Sequence, residues 1–166
     1  MPHPLVVVAH DLRSAHNVGS VFRTADAAGL AHVYLTGTSA TPAHRGVRKT
    51  ALGAEDSVPW TAAPDLGALL GRLRADGYRV AALEITDGAV SPEAVPAGAF
   101  PLALVLGNEV DGVPPPVLDA ADLAVALPMY GAKASLNVSV AFGVAAYGLV
   151  ARWRSGRPAA RDGMVG

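Results

Sequence analysis

The sequence predicts an α/β domain: a mainly parallel sheet flanked by helices. Two observations carry that prediction. Short valine- and leucine-rich runs, such as residues 5–9 and 102–106, are apolar throughout rather than alternating. That is the pattern of strands covered on both faces. Between such runs lie segments whose apolar residues recur at helical spacing, so strands and helices alternate along the chain. With 166 residues, 51% hydrophobic and 16% charged, the chain can close one core and is too apolar for disorder.

The elements follow in order. Residues 5–9 read as a first buried strand and 10–16 as a polar loop. From Asn17, a good cap by composition, Val18, Val21, Phe22, Ala25 and Ala28 take the i, i+3, i+4 spacing of an amphipathic helix, and Gly29 ends it. Residues 33–35 are a second strand and 37–42 a turn-rich loop. The stretch 43–60 is basic, then acidic, and predicts little regular structure. Leu66, Leu69, Leu70 and Leu73 line one face of a helix with Asp65 as its N-cap and Gly77 as its stop. Residues 79–84 are a third strand, and 86–101 a Gly- and Pro-containing connection. Residues 102–106 are a fourth. Pro114, Pro115 and Pro116 allow a helix only after them. Residues 123–127 are a fifth strand, 128–135 a loop in which Ser135 is placed to cap, and 136–154 the longest helix. One domain over 1–154 is expected, with 155–166 as a flexible tail.

The last helix carries two apolar stripes. Val138, Ala141, Phe142, Ala145 and Leu149 form one, and Val140, Val144, Tyr147 and Ala151 the other. A sheet covers one side of a helix, so the second stripe predicts a second subunit or another helix of the same chain.

Composition removes several function classes. The absence of cysteine excludes a disulfide framework, a thiolate metal site and a cysteine nucleophile. The apolar runs are too short for a membrane span, and residues 1–4 lack the features of a signal peptide, so a cytoplasmic location is expected. The five histidines do not have metal-ligand spacing, and no metal is expected. There is no G-x-G-x-x-G dinucleotide fingerprint, no phosphate-binding P-loop and no G-x-S-x-G elbow. The net charge of −1 argues against nucleic-acid binding by bulk charge. Binding would rest on local clusters: His44, Arg45, Arg48 and Lys49, and Arg152, Arg154, Arg157 and Arg161.

In open parallel sheets, ligands bind beyond the carboxyl ends of the strands. That directs attention to the loops at 10–17, 107–112 and 128–137. Glycines bracket the second loop, where backbone approaches a ligand closely. In the third, Ser135 and Asn137 stand between a buried strand and a buried helix, and a buried amide needs partners. Arg23 shares a helical stripe with His16, Gly19 and Ser20, which leaves space beside its guanidinium.

Taken together, three segments resemble the three motifs of the SpoU/TrmH-type RNA ribose methyltransferases of the knotted SPOUT superfamily. The first is His10-Asp11-Leu12-Arg13-Ser14-Ala15-His16-Asn17-Val18-Gly19-Ser20-Val21-Phe22-Arg23-Thr24-Ala25-Asp26. The second is Leu104-Val105-Leu106-Gly107-Asn108-Glu109-Val110-Asp111-Gly112. The third is Leu127-Pro128-Met129-Tyr130-Gly131-Ala132-Lys133-Ala134-Ser135-Leu136-Asn137-Val138-Ser139-Val140-Ala141. All three occur in order, and the stretch 49–55 also recurs in short members, so the resemblance covers roughly residues 5–152.

The resemblance implies an α/β fold whose C-terminal part forms a deep trefoil knot. It also implies S-adenosylmethionine as cofactor, a homodimer, and methylation of a ribose 2′-hydroxyl in tRNA or rRNA. Residue by residue, Arg23 matches the arginine that activates the hydroxyl and Asn17 the asparagine that positions it. Glu109 matches the active-site glutamate, and Ser135 and Asn137 the polar pair beside the reacting centre. Leu83, Gly107, Leu127 and Leu136 match positions that cradle the cofactor. With the first strand beginning at Leu5, no N-terminal RNA-binding extension is expected, so the RNA would be gripped by Arg45, Arg48, Lys49, Arg152 and Arg154 of two subunits. The competing readings are a non-catalytic RNA-binding protein of this fold, a base methylase of related fold, and a nucleotide-dependent oxidoreductase.

Overall fold

The computed structural model describes residues 1–157. Six strands form one sheet in the order β3-β2-β1-β5-β4-β6, and every pairing is parallel. The strands are β1 (His3–His10), β2 (Leu30–Thr36), β3 (Trp60–Ala62), β4 (Arg79–Leu83), β5 (Leu102–Leu106) and β6 (Leu123–Val125). The helices are α1 (Ala15–Ala27), α2 (Arg45–Ala51), α3 (Ala54–Ser57), α4 (Leu66–Ala75), α5 (Pro115–Ala120) and α6 (Val138–Ser155). Two short 3₁₀ turns, Pro92–Ala94 and Ala97–Ala99, lie in the connection between β4 and β5.

The continuous apolar character of β1 and β5 has a simple cause. Alternate residues of one strand point to opposite faces. Leu5, Val7 and Ala9 join α1 and α6 in one core, and Val6 and Val8 join α4 in the other. Phe22 of α1 and Phe142 of α6 are the largest side chains completely buried in the first core.

Several sequence expectations are corrected. The stretch 43–60 is ordered: α2 and α3 form there, and β3 begins at Trp60. The sheet therefore has six strands, and the strand predicted over 123–127 is its sixth and stops at Val125. Helix α1 starts at Ala15, capped by the Ser14 side chain, which accepts from the Asn17 backbone N–H at 3.2 Å. Asn17 is thus an internal residue of the first turn, not the cap. Helix α6 starts at Val138, and its cap is Asn137 rather than Ser135. The Asn137 carboxamide oxygen accepts from the backbone of Ser139 at 3.0 Å and of Val140 at 3.4 Å. The Asp65 cap and the stop at Gly77 (φ +90°) stand as expected.

Helix α6 packs Phe142, Ala145, Ala146 and Leu149 into the core, while the Arg152 Nε donates to the Val95 carbonyl at 2.8 Å. Val140, Val144 and Tyr147 remain just over half exposed. No segment of the described chain covers the second apolar stripe. The predicted flexible tail at 155–166 lies mostly outside the described residues.

Helices α1 and α2 touch through Gly19. A Cβ there would stand 2.6 Å from Thr50 Cβ and 2.7 Å from the Val47 carbonyl. Gly19→Ala should therefore prise the two helices apart and lower stability by about 1–3 kcal/mol. Urea denaturation of the wild type and the variant measures this, and equal midpoints would contradict the close approach.

Candidate active site

The strand registers decide which loops meet. Residue Ala9 of β1 sits opposite Leu106 of β5, so the loops leaving these strands emerge side by side. Here the connectivity reverses, since β2 and β3 continue on one side of β1 and β5, β4 and β6 on the other. Such a switch point is where parallel sheets form their ligand crevice.

Three polar side chains join here, from the first turn of α1, the loop after β5 and the residue that caps α6. Asn17 is buried, 6% exposed. Its carboxamide N–H donates to Glu109 Oε1, and its Oδ1 accepts from Asn137 Nδ2 at 3.3 Å. Asn137 therefore serves twice: its oxygen caps α6, and its nitrogen reaches α1. The expectation of a buried amide at Asn137 is corrected: the residue is exposed, because the turn before α6 lies at the surface, and the buried carboxamide of the group is that of Asn17. Ser14 makes this possible, because by capping α1 it frees the Asn17 side chain to face the loop after β5.

Beside the triad lies a cavity of about 470 Å³, beyond the ends of β4, β5 and β6. Leu83, Gly107, Leu127 and Leu136 all line it, and so do Glu109 and Ser135. Gly107 is required by contact. Added to it, a Cβ would overlap the backbone of Gly112 and Val113. Asn108 Oδ1 accepts from the backbone N–H groups of Val110 and Asp111, at 2.9 and 2.7 Å, which shapes the turn between the two glycines. Among the described residues the charged side chains on the wall are Glu84, Glu109 and Asp111, and no Lys or Arg lines it. Glu84 escapes notice in the sequence because it lies in none of the three loops singled out. The signal that would have found it is its position directly after a strand, at the carboxyl end.

Arg23 is placed elsewhere. It is exposed and lines a shallow groove with Ser20, Thr24, Ala27 and Tyr147 of α6, next to the uncovered stripe. Of the basic residues, Arg45, Lys49 and Arg154 are exposed. Arg48 is partly committed to its own loop, with Nη1 donating to the Pro42 carbonyl at 2.5 Å. Arg152 holds the Val95 carbonyl, as described above. Arg161 lies outside the described residues.

The loops after β1 and β2 are tied together at the same end of the sheet. Asp11, at φ +51°, accepts from the Thr38 backbone N–H at 2.8 Å and its hydroxyl at 3.1 Å. The Thr38 backbone N–H is the main reason the Asp11 carboxyl titrates below its usual range. Among the described residues no group of His, Asp or Glu side chains could hold a metal ion, and no helix is long and apolar enough to cross a membrane.

Residues 4–147 match the model of the SpoU rRNA Methylase family. The chain belongs to that family. A 23S rRNA (guanosine-2'-O-)-methyltransferase of Pseudomonas putida is 35% identical over 142 residues, covering 85% of this chain and 56% of that protein. The chain thus spans a little over half the length of such curated relatives. The AdoMet-bound rRNA methyltransferase of Sinorhizobium meliloti superposes with a TM-score of 0.81 at 27% identity, over 90% of this chain and 59% of its own. A structure concerned with 2-OH methylation of C/U34 on tRNA superposes with a TM-score of 0.80 at 28% identity, covering 95% of this chain and 100% of that one. The resemblance read from the three motifs is therefore borne out at the level of family and parallel α/β fold.

The polar triad gives a direct test. Asn17→Asp sets a second carboxylate against Glu109 and removes the donor that now joins them. It should cost about 1–3 kcal/mol at neutral pH. A like-charge pair is relieved by protonation, so the deficit should shrink as the pH falls into the carboxylate range. Denaturant melts at pH 7 and pH 4 measure both terms, and a pH-independent deficit would contradict the juxtaposition.

Proposed function

We propose that this chain transfers a methyl group from S-adenosylmethionine to a ribose 2′-hydroxyl of tRNA or rRNA, working as a homodimer in the cytoplasm, with the trefoil knot of its superfamily. The observation that carries the reading is the meeting of Asn17, Glu109 and Asn137 at the rim of a cavity lined by Leu83, Gly107, Leu127 and Leu136.

The cavity suits this donor on its own chemistry. Its volume falls in the range of small-molecule sites. The apolar leucines would suit an adenine, and a glycine without room for a Cβ would let backbone groups approach it. Three carboxylates without a lining cation favour a positively charged ligand. The same lining disfavours the pyrophosphate of a dinucleotide, which argues against an oxidoreductase. S-adenosylmethionine, when bound, supplies an electrophilic methyl group on a sulfonium.

The chain's own residues then have distinct tasks. Asn17 is buried and held between Glu109 and Asn137, so a hydroxyl at this rim meets an oriented carboxamide. Fixed geometry lowers the barrier by removing the entropy of alignment. An arginine is a poor general base. Arg23 therefore acts with the substrate phosphate, either as a transient base or by stabilising the developing alkoxide. Arg45, Arg48, Lys49, Arg152 and Arg154 supply phosphate contacts. The intact set of polar side chains separates this reading from a non-catalytic RNA-binding protein of the same fold.

The homodimer rests on α6. Val140, Val144 and Tyr147 are apolar, exposed and adjacent to the groove of Arg23. A second copy packed on this stripe would bury it and bring Arg23 to the subunit boundary.

Two measurements test the reading. Methyl transfer to RNA by Arg23→Ala should fall at least about a hundredfold, the usual worth of a group acting in proton transfer, and Arg23→Lys should recover little of it. Near-wild-type rates in both variants across several pH values would remove the assigned role. Val144→Asp places a charge in the exposed stripe and should shift the chain from dimer to monomer in light scattering, with donor binding retained. A wild-type chain that is monomeric at micromolar concentration would exclude the dimer.

A further inference from the structure

The charge on the cavity wall has a consequence for the order in which ligands come and go. Glu84 directly follows β4, and three hydrogen bonds hold it, one of them local, from the Ile85 backbone N–H to Oε1 at 3.3 Å. Its backbone N–H donates to the Val125 carbonyl at 3.0 Å, beside the end of β6. Its carboxylate Oε2 accepts from the Val113 backbone N–H at 3.0 Å, just beyond the loop after β5. Gly112 makes this clamp possible. At φ +66° it presents bare backbone where any Cβ would collide with Oε2. Of the three wall carboxylates, Glu109 is exposed and engaged by Asn17, and Asp111 is exposed. Glu84 alone is half-buried and pinned to the wall by backbone on both sides.

Resting on the proposed donor, we infer that Glu84 is a specificity-determining residue of this cavity. Its fixed carboxylate favours the sulfonium donor over the demethylated thioether product. The transfer forms an O–CH3 bond and breaks an S–CH3 bond. The sulfur keeps the electron pair, and the hydroxyl proton leaves to base. The ligand therefore loses one positive charge inside a wall that carries three negative ones and no lining cation. Attraction to the wall weakens at that moment, and the product is released more readily than the donor. The clamp on Val113 is a separate role, and it sets the shape of the loop that carries Gly107 and Glu109.

The two roles separate by substitution. Glu84→Gln can keep the oxygen that accepts from the Val113 N–H while it removes the charge and the longer bond from the Ile85 N–H at 3.3 Å. Glu84→Ser, equally uncharged but too short for the Val113 N–H, removes the clamp as well, and circular dichroism checks that both variants are folded. Calorimetry gives the dissociation constants of S-adenosylmethionine, S-adenosylhomocysteine and sinefungin, an analogue with an amine-bearing carbon in place of the methylated sulfur. In the Gln variant the two cationic ligands should weaken about three- to ten-fold, the span expected for one unit charge across a hydrated pocket, while the thioether stays within about two-fold. Equal weakening of all three ligands would reduce Glu84 to a structural clamp and overturn the inference, as would no change in any. A wild-type chain that binds none of them overturns the donor reading and this inference with it. A wild-type chain that binds the donor, with its preference over the thioether preserved in Glu84→Gln, overturns the inference alone.

Discussion

The buried carboxamide of Asn17 is the constraint around which the site is organised. A carboxamide removed from water must find a donor and an acceptor, at a cost of about 1–3 kcal/mol for each one missing. Here the acceptor comes from the loop after β5 and the donor from the residue that caps α6. Three loops far apart in the chain are thus obliged to meet. The obligation can be met only because β1 and β5 are neighbours in register, with Ala9 against Leu106. A shift of that pairing would separate the carboxamide from its acceptor and open the cavity beside it.

The cavity wall combines two requirements that pull in different directions. Leucines on the wall, Leu106 fully buried among them, lower the local polarity and strengthen any charge interaction nearby. Three carboxylates at its rim need solvent or a cation to be tolerated. Glu109 answers this with the Asn17 amide, Asp111 with exposure, and Glu84 with the Val113 backbone. What is left over is a negative field with no basic side chain on the wall to cancel it. Such a wall selects against phosphate and for a cation, and the glycines at 107 and 112 let the backbone come close enough for that field to matter.

Helix α6 links stability to the site. Its first residues are held by the Asn137 cap, which also belongs to the polar triad. Its middle fills the core with Phe142, Ala145, Ala146 and Leu149. Near its end Trp153 stacks edge-on against His3 at the start of β1, with the rings 5.1 Å apart. The remaining face, Val140, Val144 and Tyr147, serves none of these purposes and stays open. One helix therefore presents a packed side, a site-bearing end and an uncovered apolar stripe next to Arg23.

Much of this was legible in the sequence, because strand and helix periodicity are local properties. The buried runs of β1 and β5, the leucine face of α4, and the doubly apolar α6 follow from spacing alone. The three motifs named the family and the residues of the triad. Other features were not legible. The segment 43–60 forms α2, α3 and β3 because Val47, Ala51, Ala54 and Val58 pack into a core supplied by distant elements, and composition hides that. The choice of Ser14 and Asn137 over Asn17 and Ser135 as caps was equally hidden, since all four side chains can cap. Burial decided it, by turning the Asn17 side chain towards Glu109, 92 residues away, and Asn137, 120 residues away. The chain by itself thus settled most of the elements and the family whose motifs they carry. The tertiary structure decided which polar groups face one another, because only the sheet's strand order brings those loops to one point.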